Sequence, residues 1–128
     1  MVNFGIVGIG FMGVTHYKAI EKVRGAKVAA IVSRDEKKLQ GDWRNIQGNF
    51  GGNGGKQDLG KVATYRELDQ LLNDPNIDVV DICLPTPLHV EASLLALQSG
   101  KHVFLEKPIS TTLKEAEELI DLSIKNDV

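Results

Sequence analysis

Two short stretches carry residue types whose spacing suits chemistry on a phosphate-bearing ligand. The first is Gly8-Ile9-Gly10-Phe11-Met12-Gly13, a G-x-G-x-x-G run that follows the apolar Phe4 to Val7 and precedes residues of helical period. That context, strand then glycine turn then helix, is what a dinucleotide-binding fingerprint requires. Gly8 permits the tight turn, Gly10 leaves the backbone open to a pyrophosphate, and Gly13 lets the helix pack close to the strand. The N–H groups and positive dipole end of the new helix then face the phosphates. The second stretch is Ser33-Arg34-Asp35, about 20 residues past Gly13, where the residue that reads the ribose belongs. A hydroxyl and a guanidinium there suit a 2′-phosphate, which favours NADP. Asp35 keeps NAD open, because an acid turned inward would accept from a free 2′-OH.

These stretches need a frame. Val28 to Val32 reads as a buried strand, joined to the first by a helix from about Met12 to Val23. Glu36 to Leu39 reads as a helical turn, Val62 to Tyr65 as a strand and Arg66 to Leu72 as a helix. Val79 to Leu84 is a nearly continuous apolar strand broken by Asp81, whose carboxylate is read as satisfied by nearby donors rather than as catalytic. Pro85-Thr86-Pro87 leads into a helix that runs to about Ser99, and Gly100 stops it. His102 to Leu105 is a fifth strand, and Thr111 or Thr112 caps a last helix from Leu113 to about Lys125. Strands alternating with helices imply an α/β, Rossmann-type, doubly wound parallel sheet in three layers, of order 3-2-1-4-5. Its ligand lies beyond the carboxyl ends of strands one and four. The glycine turn, Pro85-Thr86-Pro87 and Glu106-Lys107-Pro108 converge there.

One segment breaks the pattern. Seven glycines fall between Gly41 and Gly60, with Asn45, Asn49 and Asn53 among them and no periodicity. Trp43 and Phe50 also lie there, which a wholly disordered linker would lack. Two readings stay open for this insertion at about 41–60: a partly ordered flap and a mobile loop.

With Glu106-Lys107-Pro108 on the page, and with Gly8-x-Gly10-x-x-Gly13, Thr86-Pro87, His89 and Gly100-Lys101-His102-Val103 beside it, the chain resembles the N-terminal NAD(P)-binding domain of the Gfo/Idh/MocA family (glucose-fructose oxidoreductase, inositol dehydrogenase, rhizopine catabolism). The resemblance spans essentially all of residues 1–128. It implies a nicotinamide-dependent oxidoreductase acting on a sugar, cyclitol or related polyol by hydride transfer. It implies that Lys107 is the acid/base beside the substrate hydroxyl, with partial burial and a cationic nicotinamide lowering its pKa. Glu106 then bonds the cofactor ribose or positions the lysine, and Pro108 aims it through a bond that is often cis in the family. Pro85, Thr86 and Pro87 are read as cofactor wall. Leu88 stands near where the family often has asparagine. His89 joins the cofactor list by resemblance, although its place at a helix start favours a structural role, as for His16 and His102. The resemblance further implies that the family's substrate domain lies outside these residues, that a homo-oligomer is possible, and that the chain by itself is inactive.

Composition fits one soluble domain: 128 residues, 42% hydrophobic, 25% charged, net charge −2. A balance this close to neutral offers no general attraction to nucleic acid or to an anionic membrane. The single cysteine, Cys83, and the direct entry of Met1-Val2-Asn3 into the first strand point to the cytoplasm. No metal-ligand set is read from the spacing. A non-catalytic dinucleotide-binding or assembly module remains the alternative to an enzyme.

Overall fold

In a computed structural model, which describes residues 1–48 and 54–128, the apolar runs form five parallel strands. They are β1 (Val2–Val7), β2 (Ala26–Val32), β3 (Ala63–Tyr65), β4 (Val79–Ile82) and β5 (His102–Leu105), in spatial order β3-β2-β1-β4-β5. This is the doubly wound order, with the reversal between β1 and β4. Helices α1 (Phe11–Ile20), α2 (Glu36–Leu39), α3 (Leu68–Leu72), α4 (His89–Gln98) and α5 (Leu113–Asn126) make the connections.

Alternation along the strands sends side chains into two separate cores. Val7, Ala30, Val32, Val80 and Ile82 pack under α3 and α4 with Leu71 and Ala96. Ile6, Val28 and Ile31 face α1, where Val14, Tyr17 and Ile20 cover them together with Trp43 of the insertion. Gly5 sits mid-strand because Leu71 occupies the space its side chain would take, 2.5 Å from a Cβ there. The last helix begins at Thr112, whose hydroxyl accepts from the Glu115 N–H at 3.3 Å while the Glu115 carboxylate accepts from that hydroxyl at 2.9 Å. No helix among the described residues is long and apolar enough to cross a membrane.

Several boundaries differ from the sequence reading. α1 opens one residue earlier, at Phe11, and ends at Ile20 rather than Val23. α3 begins at Leu68 rather than Arg66, because Glu67 caps it and Gln70 accepts from the Arg66 and Glu67 N–H groups at 3.0 and 3.1 Å. β4 ends at Ile82, and Thr86–Leu88 form a 3-10 turn ahead of α4.

The described part of the insertion is packed. Trp43 is fully buried, edge-on to Tyr17 with ring centres 5.0 Å apart, and its Nε1–H donates to the Lys38 carbonyl at 2.9 Å. Asp42 and Lys56 form an antiparallel bridge, and the Lys18 ammonium donates to the Gly54 carbonyl at 3.2 Å. The glycines here serve close approach. A Cβ on Gly48 would enter the Phe11 ring, and one on Gly54 would collide with the Trp43 backbone. Phe50, with 49–53 as a whole, lies outside the described residues.

Candidate cofactor site

A cleft of about 720 Å³ opens at the carboxyl ends of β1, β2 and β4, within the size range of ligand pockets. Its floor is the glycine turn, Gly8 through Met12. Gly8 has φ +94°, a conformation that favours glycine, and a Cβ there would stand 2.9 Å from the Cys83 carbonyl. A side chain on Gly13 would collide with the Gly8 carbonyl, so the helix can sit this close to the strand only with glycine at that position. Gly10 is the opposite case: a Cβ built on it meets no atom of the described residues within 4 Å. The open space lies over the N-terminus of α1, where the positive end of the helix dipole favours an anion. A dinucleotide diphosphate therefore fits the residues present.

The far wall comes from the β2 and β3 ends. Ser33 and Arg34 line it, as the sequence reading has it, and Lys38, Arg66, Glu67 and Leu68 join them. Arg34 pairs with Glu67 at 3.3 Å, and Arg66 with Glu36 at 2.6 Å, all four side chains being more than half exposed. Such pairs contribute little and exchange partners readily. Asp35 is outside this lining and borders a smaller pocket that Gly10 and Phe11 also line. Its carboxylate accepts from the Lys37 N–H at 2.9 Å as the cap of α2, while its own N–H donates to the Ser33 hydroxyl at 3.2 Å.

The near wall is Cys83, Leu84, Pro85 and Leu88. Thr86, Pro87, Gly13, His89 and the Glu106-Lys107-Pro108 loop are not part of the cleft lining. His89 is 1% exposed, and its two ring nitrogens lie 2.7 Å from the Pro108 and Leu84 carbonyl oxygens. It thus clamps the loop after β4 to the loop after β5. Lys107 is exposed rather than partly buried, and the Lys107–Pro108 bond is cis.

Beside the cleft, sharing Cys83 with it, lies a cluster that joins Glu106 to His16 and Asp81, two residues read from the sequence as structural. His16 Nδ1 lies 2.9 and 3.0 Å from the Asp81 carboxylate oxygens, and His16 Nε2 lies 3.0 Å from Glu106 Oε1. Glu106 Oε2 accepts from the Lys107 N–H at 3.2 Å. The Cys83 thiol donates to Asp81 at 3.4 Å. The hydrogen bond to Asp81 is the main cause that raises the His16 pKa above its ordinary value, with Glu106 adding to it against the cost of burial. Burial, then the Asp81 charge, pushes the Cys83 thiol up, so it stays protonated at neutral pH. His16, Asp81 and Cys83 place donor atoms within 4.8 Å of one another, but hydrogen bonds among themselves already use those atoms. A signal existed for this cluster: a carboxylate in a buried strand needs a donor, and His16 sits one helical turn past Gly13.

The family described as "Oxidoreductase family, NAD-binding Rossmann fold" matches residues 2–128. The chain is 30% identical over 127 residues to a myo-inositol 2-dehydrogenase of Thermotoga maritima, covering 99% of this chain and 34% of that protein. It is 39% identical over 64 residues to an NADP(+) scyllo-inositol 2-dehydrogenase of Bacillus subtilis, 50% of this chain and 18% of that one. Among solved structures, scyllo-inositol dehydrogenase from Lactobacillus casei, with bound NAD(H) and scyllo-inositol, superposes with TM-score 0.80 at 28% identity, over 99% of this chain and 34% of that one. The chain spans about a third of the length of the curated relatives it matches. On these grounds, and with the fold and glycine turn in agreement, the chain belongs to the Gfo/Idh/MocA oxidoreductase family and is its NAD-binding Rossmann domain.

Proposed function

We propose that residues 1–128 hold the nicotinamide dinucleotide of an oxidoreductase acting on a sugar, cyclitol or related polyol. The observation that carries this reading is the open space over Gly10 in a cleft at the β1/β4 switch point. Gly8 to Met12 hold the diphosphate, Ser33 and Arg34 the adenosine ribose, and Pro85 the inner wall. The Glu106-Lys107-Pro108 loop stands at the reacting end. When bound, the cofactor takes up or delivers the hydride, while Lys107 takes or returns the hydroxyl proton. The inositol dehydrogenases among the relatives support the polyol class. A second domain outside these residues supplies the polyol pocket in this reading.

The test is calorimetric titration with NAD and NADP. Gly10→Val places a branched side chain in the space reserved for the diphosphate and lowers affinity for both cofactors, at a cost of roughly 1–3 kcal/mol. Equal affinity in the two proteins places the dinucleotide elsewhere.

For the choice of cofactor, the reading favours NADP. Ser33 and Arg34 line the cleft, and the carboxylate of Asp35 is committed to capping α2. Relatives of both kinds exist, so the chain's own residues decide. Arg34→Ala weakens NADP binding by about 1.5 kcal/mol and leaves NAD nearly unchanged. This is the low end of the roughly 1.5–3 kcal/mol of a charge-assisted hydrogen bond, because Arg34 is exposed and must leave Glu67. Equal loss for both cofactors returns the role to Asp35.

The alternative, a non-catalytic dinucleotide-binding or assembly module, draws on one observation: Lys107 is exposed and off the cleft lining. Turnover measured in the longer protein separates the two.

A further inference from the structure

We infer that His16 is a positioning residue, a doubly donating bridge that ties buried Asp81 to Glu106 and so holds the Glu106-Lys107-Pro108 loop against the helix that opens the cofactor turn. The inference rests on the proposed function only for its consequence, since the bridge itself is a matter of geometry.

The chain of contacts is continuous. Asp81 lies in β4, is 0% exposed, and directs its oxygens at His16 Nδ1. His16 stands on α1, three residues beyond Gly13, so its ring position is fixed by the same helix whose N-terminus faces the cleft. Its Nε2 meets Glu106 Oε1, and the other oxygen of that carboxylate accepts the Lys107 N–H. Phe104 of β5 flanks the imidazole, with ring centres 5.4 Å apart and planes at 34°. Three segments distant in sequence thus meet on one ring: the cofactor helix, the β4 end and the lysine loop.

Proton counting decides the state of the ring. Asp81 and Glu106 accept on opposite sides of His16, so both contacts are hydrogen bonds only if both ring nitrogens carry protons. A neutral imidazole serves one carboxylate and turns a lone pair on the other at 3.0 Å or less. The titratable groups that face the ring among the described residues are Asp81 and Cys83 from the β4 end and Glu106 from the β5 end. The thiol is protonated and donates to Asp81, so it adds no charge. The ring's pKa is raised in the fold. The bridge is therefore complete below the ordinary histidine value of 6.5, and its contribution is lost as pH rises through the higher folded value. Above that value the Glu106 side chain is free to swing and the Lys107 backbone loses its acceptor.

The experiment is an NMR titration of the 128-residue chain between pH 5 and 10, joined to cofactor titration over the same range. The His16 Cε1 proton reports the ring's protonation, and the Lys107 amide reports the loop. The expected result is a His16 midpoint above 6.5, with the Lys107 amide shifting at the same midpoint. Glu106→Gln lowers the His16 midpoint, because it removes one of the two charges. His16→Gln abolishes the Lys107 amide shift while circular dichroism shows the fold retained. Cofactor affinity falls roughly tenfold across the wild-type midpoint and becomes independent of pH over that range in His16→Gln. A residue with only a packing role would lower affinity uniformly and leave the pH profile in place. A His16 midpoint at or below 6.5, or a Lys107 amide that titrates alike in wild type and His16→Gln, overturns the bridge. If the bridge titrates as described and no cofactor binds at any pH, it is the proposed function that fails.

Discussion

Lys107→Met, in a protein of the relatives' full length, lowers the turnover number by about 10²–10⁴-fold and leaves cofactor affinity nearly unchanged. The expectation follows from what the side chain can and cannot do. An alcohol gives up a hydride readily only as its hydroxyl proton departs, and a methionine of similar length has no basic atom to receive it. Lys107 is exposed and lies off the lining of the dinucleotide cleft, so its removal costs the diphosphate and ribose contacts nothing. Its backbone is held independently, by the Glu106 carboxylate on its N–H and by the His89 ring on the next carbonyl. The loop therefore keeps its place in the variant, and the loss is chemical. The 128-residue chain alone is expected to show no measurable turnover, because a polyol must be fixed within roughly 3–3.5 Å of the nicotinamide and no wall among the described residues does so. Full activity in Lys107→Met removes the lysine from the reaction. Robust turnover by the short chain places the substrate within residues 1–128.

How far the sequence speaks depends on how local the determinant is. Strand order could be read because each strand is a short apolar run, each crossover carries helical spacing, and crossovers have one hand. The glycine turn could be read because Gly13 answers to a contact within the turn and Gly8 to the β4 end, while Gly10 serves the open space above it. Gly13 against the Gly8 carbonyl is the clearest case. The opposite wall of the cleft was harder. Glu67 meets Arg34 from 33 positions along the chain, Arg66 lines the same cleft, and nothing in their own neighbourhood marks them out. Only the rule that ligands gather at the carboxyl ends of strands could have singled them out, as the residues just after β3. The partners of His16 are hard to read for a related reason. On a helical wheel His16 is one polar residue among several, and its significance comes from Asp81 and Glu106, which the sheet brings to it. Element ends shifted where a side chain took over a backbone bond, as Gln70 does for Arg66 and Glu67.

The insertion poses a sharper test, because its composition suggests looseness and the packing of its described residues does not. Trp43→Ala is expected to destabilise the chain by roughly 3–5 kcal/mol, the range for emptying a fully buried aromatic site. Two losses add. The indole leaves the edge-on contact with Tyr17, a residue that is 2% exposed in the α1 core, and its N–H bond to the Lys38 carbonyl is lost, leaving that oxygen the Gly41 N–H. Little can move in to fill the space. The Gly54 backbone already sits against Trp43, and the strand below is tied into the sheet by β1 and β3. The measurement is urea unfolding followed by circular dichroism, with the midpoint falling and the slope unchanged. A loss of this size is a large share of the 5–15 kcal/mol typical of a whole domain. Trp43→Phe separates the two terms. It keeps most of the apolar volume and loses the indole N–H, so it should cost clearly less than the alanine variant. A glycine-rich loop lying free on the surface predicts the other outcome, a change within about 0.5 kcal/mol for both variants. That result would mean that Trp43 does not anchor the insertion, and the glycines at 48 and 54 would then need an explanation other than the close approach of Phe11 and Trp43.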